Sequence, residues 1–244
     1  MAFPELDIAL AAAAAVAFAA GLMRGFAGVG SGMLMAPIFV LLFGPVETVA
    51  TIIVMEIVVT AQLMPGVRRD IDWRTIAPMG TVAALFMPAG SWLLVSLDAD
   101  AIGRGMALIV LGFSAVLLTG WRYEGAKPLS ASLGVGAVSG VLMASTSLGN
   151  PPVMLYLLSS RDSSVRNRAN FTGYFAITLL ALIAWMTATG LIGWPAVLRA
   201  LMLLPVFMAA AWLGGRLFRK SSEQLYRRIA LGLLICVGLY GLLR

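Results

Sequence analysis

Two short stretches hold most of the chemistry that this sequence offers. One is Arg24-Gly25-Phe26-Ala27-Gly28-Val29-Gly30-Ser31-Gly32; the other is Ser145-Thr146-Ser147-Leu148-Gly149-Asn150-Pro151-Pro152. Glycine-rich turns leave backbone N–H groups unpaired and let a ligand approach the chain closely. A helix that starts just after such a turn adds partial positive charge and so favours an anion. Gly28, Gly30, Ser31 and Gly32 on one side, and Ser145, Thr146, Ser147, Gly149, Asn150 and Pro151 on the other, are therefore candidate ligands for an oxyanion. Their hydroxyl and amide groups supply donors without fixed charge. Arg24 could add a charged, planar fork at the first stretch, and Arg168 and Asn170 stand at the mouth of the helix after the second. The alternative for the glycines is close helix packing, as at Gly21–Gly25 and Gly136–Gly140. For the two arginines it is a plain topology role.

Glu56 lies near the centre of the apolar run Thr48–Val67 with no cation within a helical turn. An unpaired carboxyl group at that depth is expected to be protonated, and could either carry a proton in a coupled cycle or hold a neighbouring helix by a hydrogen bond. Other chemistries are excluded by composition. There is no histidine, and Cys236 is the single cysteine, which removes His-ligated zinc, cysteine clusters, Ser-His-Asp triads and intrachain disulfides. No lysine follows the glycines as a nucleotide loop would require. The aspartates Asp7, Asp70, Asp72, Asp98, Asp100 and Asp162 lie outside or at the edges of apolar runs, and Lys127 and Lys220 lie in loops. An intramembrane enzyme would thus lack paired aspartates or a Ser-Lys dyad. No cofactor and no metal are expected.

The elements that must position these residues follow from composition. Hydrophobic residues make up 61% of the 244 and charged ones 11%, against about 45–50% and about 25% in a soluble domain. Such a surface must face lipid, and the expected fold is an all-α integral membrane protein with about eight to ten membrane segments. Glu5 and Asp7 precede the first apolar run, so a retained helix is expected there and not a cleaved signal. Both breaker-rich stretches interrupt apolar sequence. Non-helical backbone at membrane depth is tolerated only where it is buried in protein or lines a wet cavity. The net charge of +6 resides in short links and does not point to nucleic acid. The positive links Arg68–Arg74, Arg122–Lys127, Arg161–Arg168 and Arg216–Arg228 alternate with links that carry no excess of Lys or Arg. The positive-inside rule then places both termini outside the plasma membrane (a bacterial inner membrane).

An internal repeat is also visible. Gly21 falls on Gly140 and Gly30 on Gly149, an offset of 119 residues each time, while Gly90 and Arg104 approach Gly214 and Arg228. With an odd number of crossings in each half, the expected organisation is two inverted-topology repeats with discontinuous helices, 1–120 and 129–244, joined by a cytoplasmic linker at 121–128. That is a transporter pattern.

The stretch Arg24–Gly32, followed by Pro37, resembles the N-terminal motif of the sulfite exporter TauE/SafE family. Gly149-Asn150-Pro151-Pro152-Val153-Met154-Leu155-Tyr156-Leu157-Leu158, then Arg168-Ala169-Asn170 and Tyr174-Phe175, resembles that family's second-half motif. Many members carry Gly-Gly-Gly where this chain has Gly30-Ser31-Gly32 and Gly149-Asn150-Pro151. The resemblance implies a permease, an exporter of small sulfur-containing anions such as sulfite or organosulfonates. Expected partners are a small anionic substrate and the lipid bilayer, with a homodimer left open. With the cytoplasm negative, each negative charge leaving gains about 2.3 kcal/mol per 100 mV, so export could run as facilitated exit. A structural or assembly membrane protein is the rival reading.

Overall fold

A backbone in lipid must satisfy its hydrogen bonds internally, and these apolar runs do so as helices. The computed structural model describes residues 8–118, 128–158 and 162–218. Residues 121–127 of the expected linker, the last apolar run (229–242) and Cys236 lie outside the described residues. The described residues contain no strand and nine α-helices: α1 (Ile8–Ala27), α2 (Ser31–Phe43), α3 (Pro45–Leu63), α4 (Trp73–Ser96), α5 (Ala99–Leu118), α6 (Leu129–Thr146), α7 (Asn150–Leu158), α8 (Ser164–Ala188) and α9 (Trp194–Phe218). Six of them, α1, α3, α4, α6, α8 and α9, are long and apolar enough to cross a membrane. Large apolar side chains such as Leu85, Trp92, Leu180 and Trp212 point outward from three of these helices, a surface that suits lipid and not water. The chain is an all-α, multi-pass membrane protein.

Both breaks fall where the glycines and polar residues were read. Between α1 and α2, Gly28 and Gly30 take left-handed conformations with φ of 76° and 100°. Between α6 and α7, Ser147 does the same with φ of 59°. Gly28 and Ser147 are equivalent under the 119-residue offset, so the same backbone device ends the long helix in each half. For a serine that conformation costs about 1–2 kcal/mol.

Two helices run further than the charge pattern suggested. α8 begins at Ser164, because the Ser163 side chain caps it by accepting from the Arg166 N–H at 3.3 Å. Arg166 and Arg168 therefore sit on the helix and not in a link. α9 continues straight through Arg199, whose charge is met by Glu47 at 2.9 Å and by the face of the Phe43 ring at 4.0 Å.

Packing pairs α1 with α9 and α4 with α6, while α3 and α8 touch each other and reach α9 and α4 respectively. Small residues make the long seams possible. A Cβ added at Gly25 would lie 1.8 Å from the Ala211 carbonyl oxygen, and one at Gly140 would lie 2.1 Å from that of Ala83. The contacts also exchange between halves. Gly21 meets Phe207 as Gly140 meets Ala83, and Gly214 meets the Leu22 carbonyl as Gly90 meets that of Val141. Gly21 and Leu22 precede Gly140 and Val141 by 119 residues; Ala83 and Gly90 precede Phe207 and Gly214 by 124.

Candidate functional site

The first break is built around a charge that has no exposure at all. Arg24, in the last turn of α1, is 0% exposed. Its Nε donates to Glu56 Oε2 at 2.9 Å, Nη2 to Thr60 Oγ1 at 2.8 Å, and Nη1 to the Gly28 carbonyl oxygen. The guanidinium carbon lies 4.4 Å from the centroid of the Phe175 ring on α8. Glu56 in turn accepts from the Ser31 hydroxyl at its other oxygen. The reading of Glu56 as an unpaired carboxyl group is therefore corrected: its cation comes from α1, across the helix interface. Glu56 and Thr60 are one turn apart on α3 and present acceptors to one guanidinium. Removing either charge would strand the other in a low dielectric, at about 3–5 kcal/mol.

The glycines around this pair are needed for space as well as for conformation. A Cβ on Gly30 would come within 2.1 Å of the Met23 Cε, and one on Gly28 within 2.8 Å of the Arg168 Cγ. Gly32 is buried in the first turn of α2. The first N–H groups of that helix have no intrahelical acceptor, and Ser31, its first residue, is the one that reaches Glu56.

At the second break the hydroxyls divide. Ser145 and Thr146 donate to carbonyls of their own helix, Val141 at 2.8 Å and Leu142 at 2.7 Å, and Thr146 Oγ1 also accepts from the Leu148 N–H at 3.2 Å. Ser147 is 2% exposed, and its Oγ has no hydrogen-bond partner among the described residues. Gly149 gives its carbonyl to the Ser139 hydroxyl, and Ser139 accepts from the Tyr174 phenol at 2.6 Å. A Cβ on Gly149 would lie 2.8 Å from the Ser139 carbonyl oxygen. Asn150 and Pro151 open α7, a place that suits proline because its missing N–H would be unpaired there anyway; the Asn150 side chain lies outside the described residues. Ser132 and Tyr156 share a 2.5 Å hydrogen bond between α6 and α7.

The remaining candidates anchor helices. Arg168 Nη2 donates to the Gly25 carbonyl at 2.8 Å, tying α8 to the first break. Asn170 accepts from the Asp72 N–H at 2.8 Å, at the entrance of α4. The two breaks thus share α8 as a neighbour: Tyr174 reaches the second through Ser139, and the adjacent Phe175 lies against Arg24. Residue reasoning missed Thr60, Ser132 and Ser139. Thr60 could have been found as the polar residue one turn after Glu56. Ser132 and Ser139 carried no comparable signal.

These features define a polytopic membrane protein with two broken helices and a buried ion pair at one break. The family model described as Sulfite exporter TauE/SafE matches residues 13–241, and the chain belongs to that family, a family of membrane transporters. A protein of Cupriavidus necator named probable sulfite/organosulfonate exporter TauE is 27% identical over 203 residues, covering 80% of this chain and 78% of that protein. No solved structure matches the chain significantly.

Proposed function

We propose that this protein exports a small sulfur oxyanion, sulfite or an organosulfonate, across the plasma membrane, and that the anion binds between the two helix breaks. The family and the named relative support the substrate class. The observation that carries the site is the buried Ser147 hydroxyl, without a hydrogen-bond partner among the described residues, in a left-handed turn just before α7 that corresponds, under the 119-residue offset, to the turn at Gly28 beside Arg24. A buried polar group without a partner costs free energy unless a ligand completes it. Each break alone offers too few donors to replace an oxyanion's hydration shell; two breaks with backbone N–H groups, Ser31, Ser147 and Arg24 offer enough. The exchange of packing contacts between the halves supports an inverted repeat, in which rocking of one half against the other opens the site to either side in turn. Catalysis plays no part in this reading.

Flux of labelled sulfite and methanesulfonate from proteoliposomes tests it. Gly149→Val should abolish flux with the protein still inserted, because the added side chain runs into the Ser139 backbone. Normal flux in that variant, or no flux of either anion in the wild type, refutes the proposal.

A further inference from the structure

Arg24 is already occupied. Its three nitrogens donate to Glu56, Gly28 and Thr60, and its face rests on Phe175. Arg24 and Glu56 are also the two buried charged side chains among the described residues. An ion pair this deep is a poor source of stability, since apolar residues of similar volume usually do as well. Its presence beside a helix break calls for another reason. A sulfonate or sulfite oxygen pair and a carboxylate are alternative ligands for one guanidinium fork, so an incoming anion competes with Glu56. Two anions on a single buried cation is the arrangement a low-dielectric site tolerates least.

We infer that the anion replaces Glu56 on Arg24 only as Glu56 takes up a proton, so that one monoanion and one proton move together. This rests on the reading of the first break as part of the anion site. The step balances: a proton from water on the open side forms an O–H bond on the Glu56 carboxylate, the Nε–H···Oε2 contact is given up, and the anion accepts from Arg24 instead. The site carries no net charge before (Arg24 cation, Glu56 anion) or after (Arg24 cation, neutral Glu56, bound monoanion). On release to the other side the proton leaves and the pair re-forms. Ser31 serves both states, since its hydroxyl donates to the carboxylate in one and accepts from the Glu56 O–H in the other.

The surroundings leave this role to Glu56. α2, α6 and α7 carry no charged residue. On α8 the Tyr174 phenol donates to Ser139, and Arg168 reaches Gly25. On α9, Arg199 is held by Glu47 and Arg216 stacks on Trp212. Asp72, before α4, lies near Arg166 at 3.9 Å, and Asp100 and Arg104 sit together at the start of α5.

The consequence concerns the driving force. Transport of a monoanion becomes electroneutral, so the membrane potential no longer pushes it out; its own gradient and the pH difference set direction.

Methanesulfonate is the suitable probe, because it stays a monoanion over the usable pH range. In proteoliposomes holding the wild-type protein, we expect methanesulfonate flux with one proton per anion, read by an entrapped pH dye, and no steady current on a supported membrane. In Glu56→Gln, which cannot exchange the proton, any methanesulfonate movement should be accompanied by current and leave the dye unchanged. Wild-type flux that moves one charge per anion without protons overturns this inference while leaving the transport reading intact. Proton movement persisting at one per anion in Glu56→Gln overturns it as well. Absence of flux of both methanesulfonate and sulfite in the wild type removes the transport reading and this inference together.

Discussion

Ser147 is the residue where folding and binding can be separated. Its left-handed backbone is strained, and its hydroxyl makes no hydrogen bond among the described residues. Ser147→Ala should therefore leave thermal stability nearly unchanged yet weaken anion affinity by about 1.5–3 kcal/mol, the value of a hydrogen bond to a charged group. Ser147→Gly should weaken affinity equally but raise stability by about 1 kcal/mol, because glycine takes the left-handed conformation without a Cβ clash. Binding by isothermal titration and melting by scanning fluorimetry check both. Equal affinity in wild type and Ser147→Ala would remove this hydroxyl from the site. Residue types alone marked Ser145, Thr146 and Ser147 as equivalent donors. They are not, because the first two back-bond to their own helix, as hydroxyls within helices commonly do, and only the residue in the turn is released.

At the scale of elements, two sets of contacts invite tests. Gly90 and Gly214 let α4 and α9 press against the backbones of α6 and α1; an added Cβ would lie 2.3 Å and 2.2 Å from the Val141 and Leu22 carbonyl oxygens. Gly90→Ala and Gly214→Ala should each destabilise by about 1–3 kcal/mol, the usual cost of overpacking. The losses should be similar, since the two seams are counterparts. A melting shift in one variant and none in the other would break the equivalence. The second set joins the halves at their two ends. Glu47 on α3 holds Arg199 on α9 at 2.9 Å, and at the opposite end of α3 the link before α4 meets α8 through Asp72, Arg166 and Asn170. Glu47→Gln should cost stability no more than about 1 kcal/mol, because the pair is partly exposed. It should also loosen the α3–α9 contact at the start of α9, where Thr51 is buried and its Oγ1 lies 3.5 Å from the Ala196 carbonyl oxygen. In a Cys236→Ser background, maleimide labelling of Thr51→Cys should be faster with Glu47→Gln than without it; unchanged labelling would make the pair a passive surface contact.

For the whole molecule, the proposed orientation rests on the positive-inside rule. The link between α3 and α4 carries Arg68 and Arg69, with Arg74 opening α4, while the link between α8 and α9, residues 189–193, carries none. A membrane-impermeant maleimide added outside intact cells should label a cysteine placed at Gly190 and spare one placed at Arg69. The reverse pattern would invert the assignment. Under the proposed inverted repeat, a structure of the full chain in a lipid nanodisc should superpose the first half on the second about an axis in the membrane plane. Parallel superposition would exclude the rocking cycle.

What this sequence determines by itself is set by local physics. Uninterrupted apolar runs with few charges leave the helix in lipid as the available form, so the membrane class followed from composition. The two helix breaks followed from residues that stop helices whatever surrounds them: Gly28 and Gly30 at one, Ser147 through Pro151 at the other. Partner choice did not follow. Glu56 lies 32 residues from Arg24, and Glu47 lies 152 from Arg199. Which face of α3 turns to α1, and how far along it, depends on how small residues let the helices approach. Helices that are apolar nearly all round carry little record of that rotation, because almost any face can be buried equally well. The tertiary structure made the decision, and with it converted an isolated carboxyl group and a lone arginine into one buried pair.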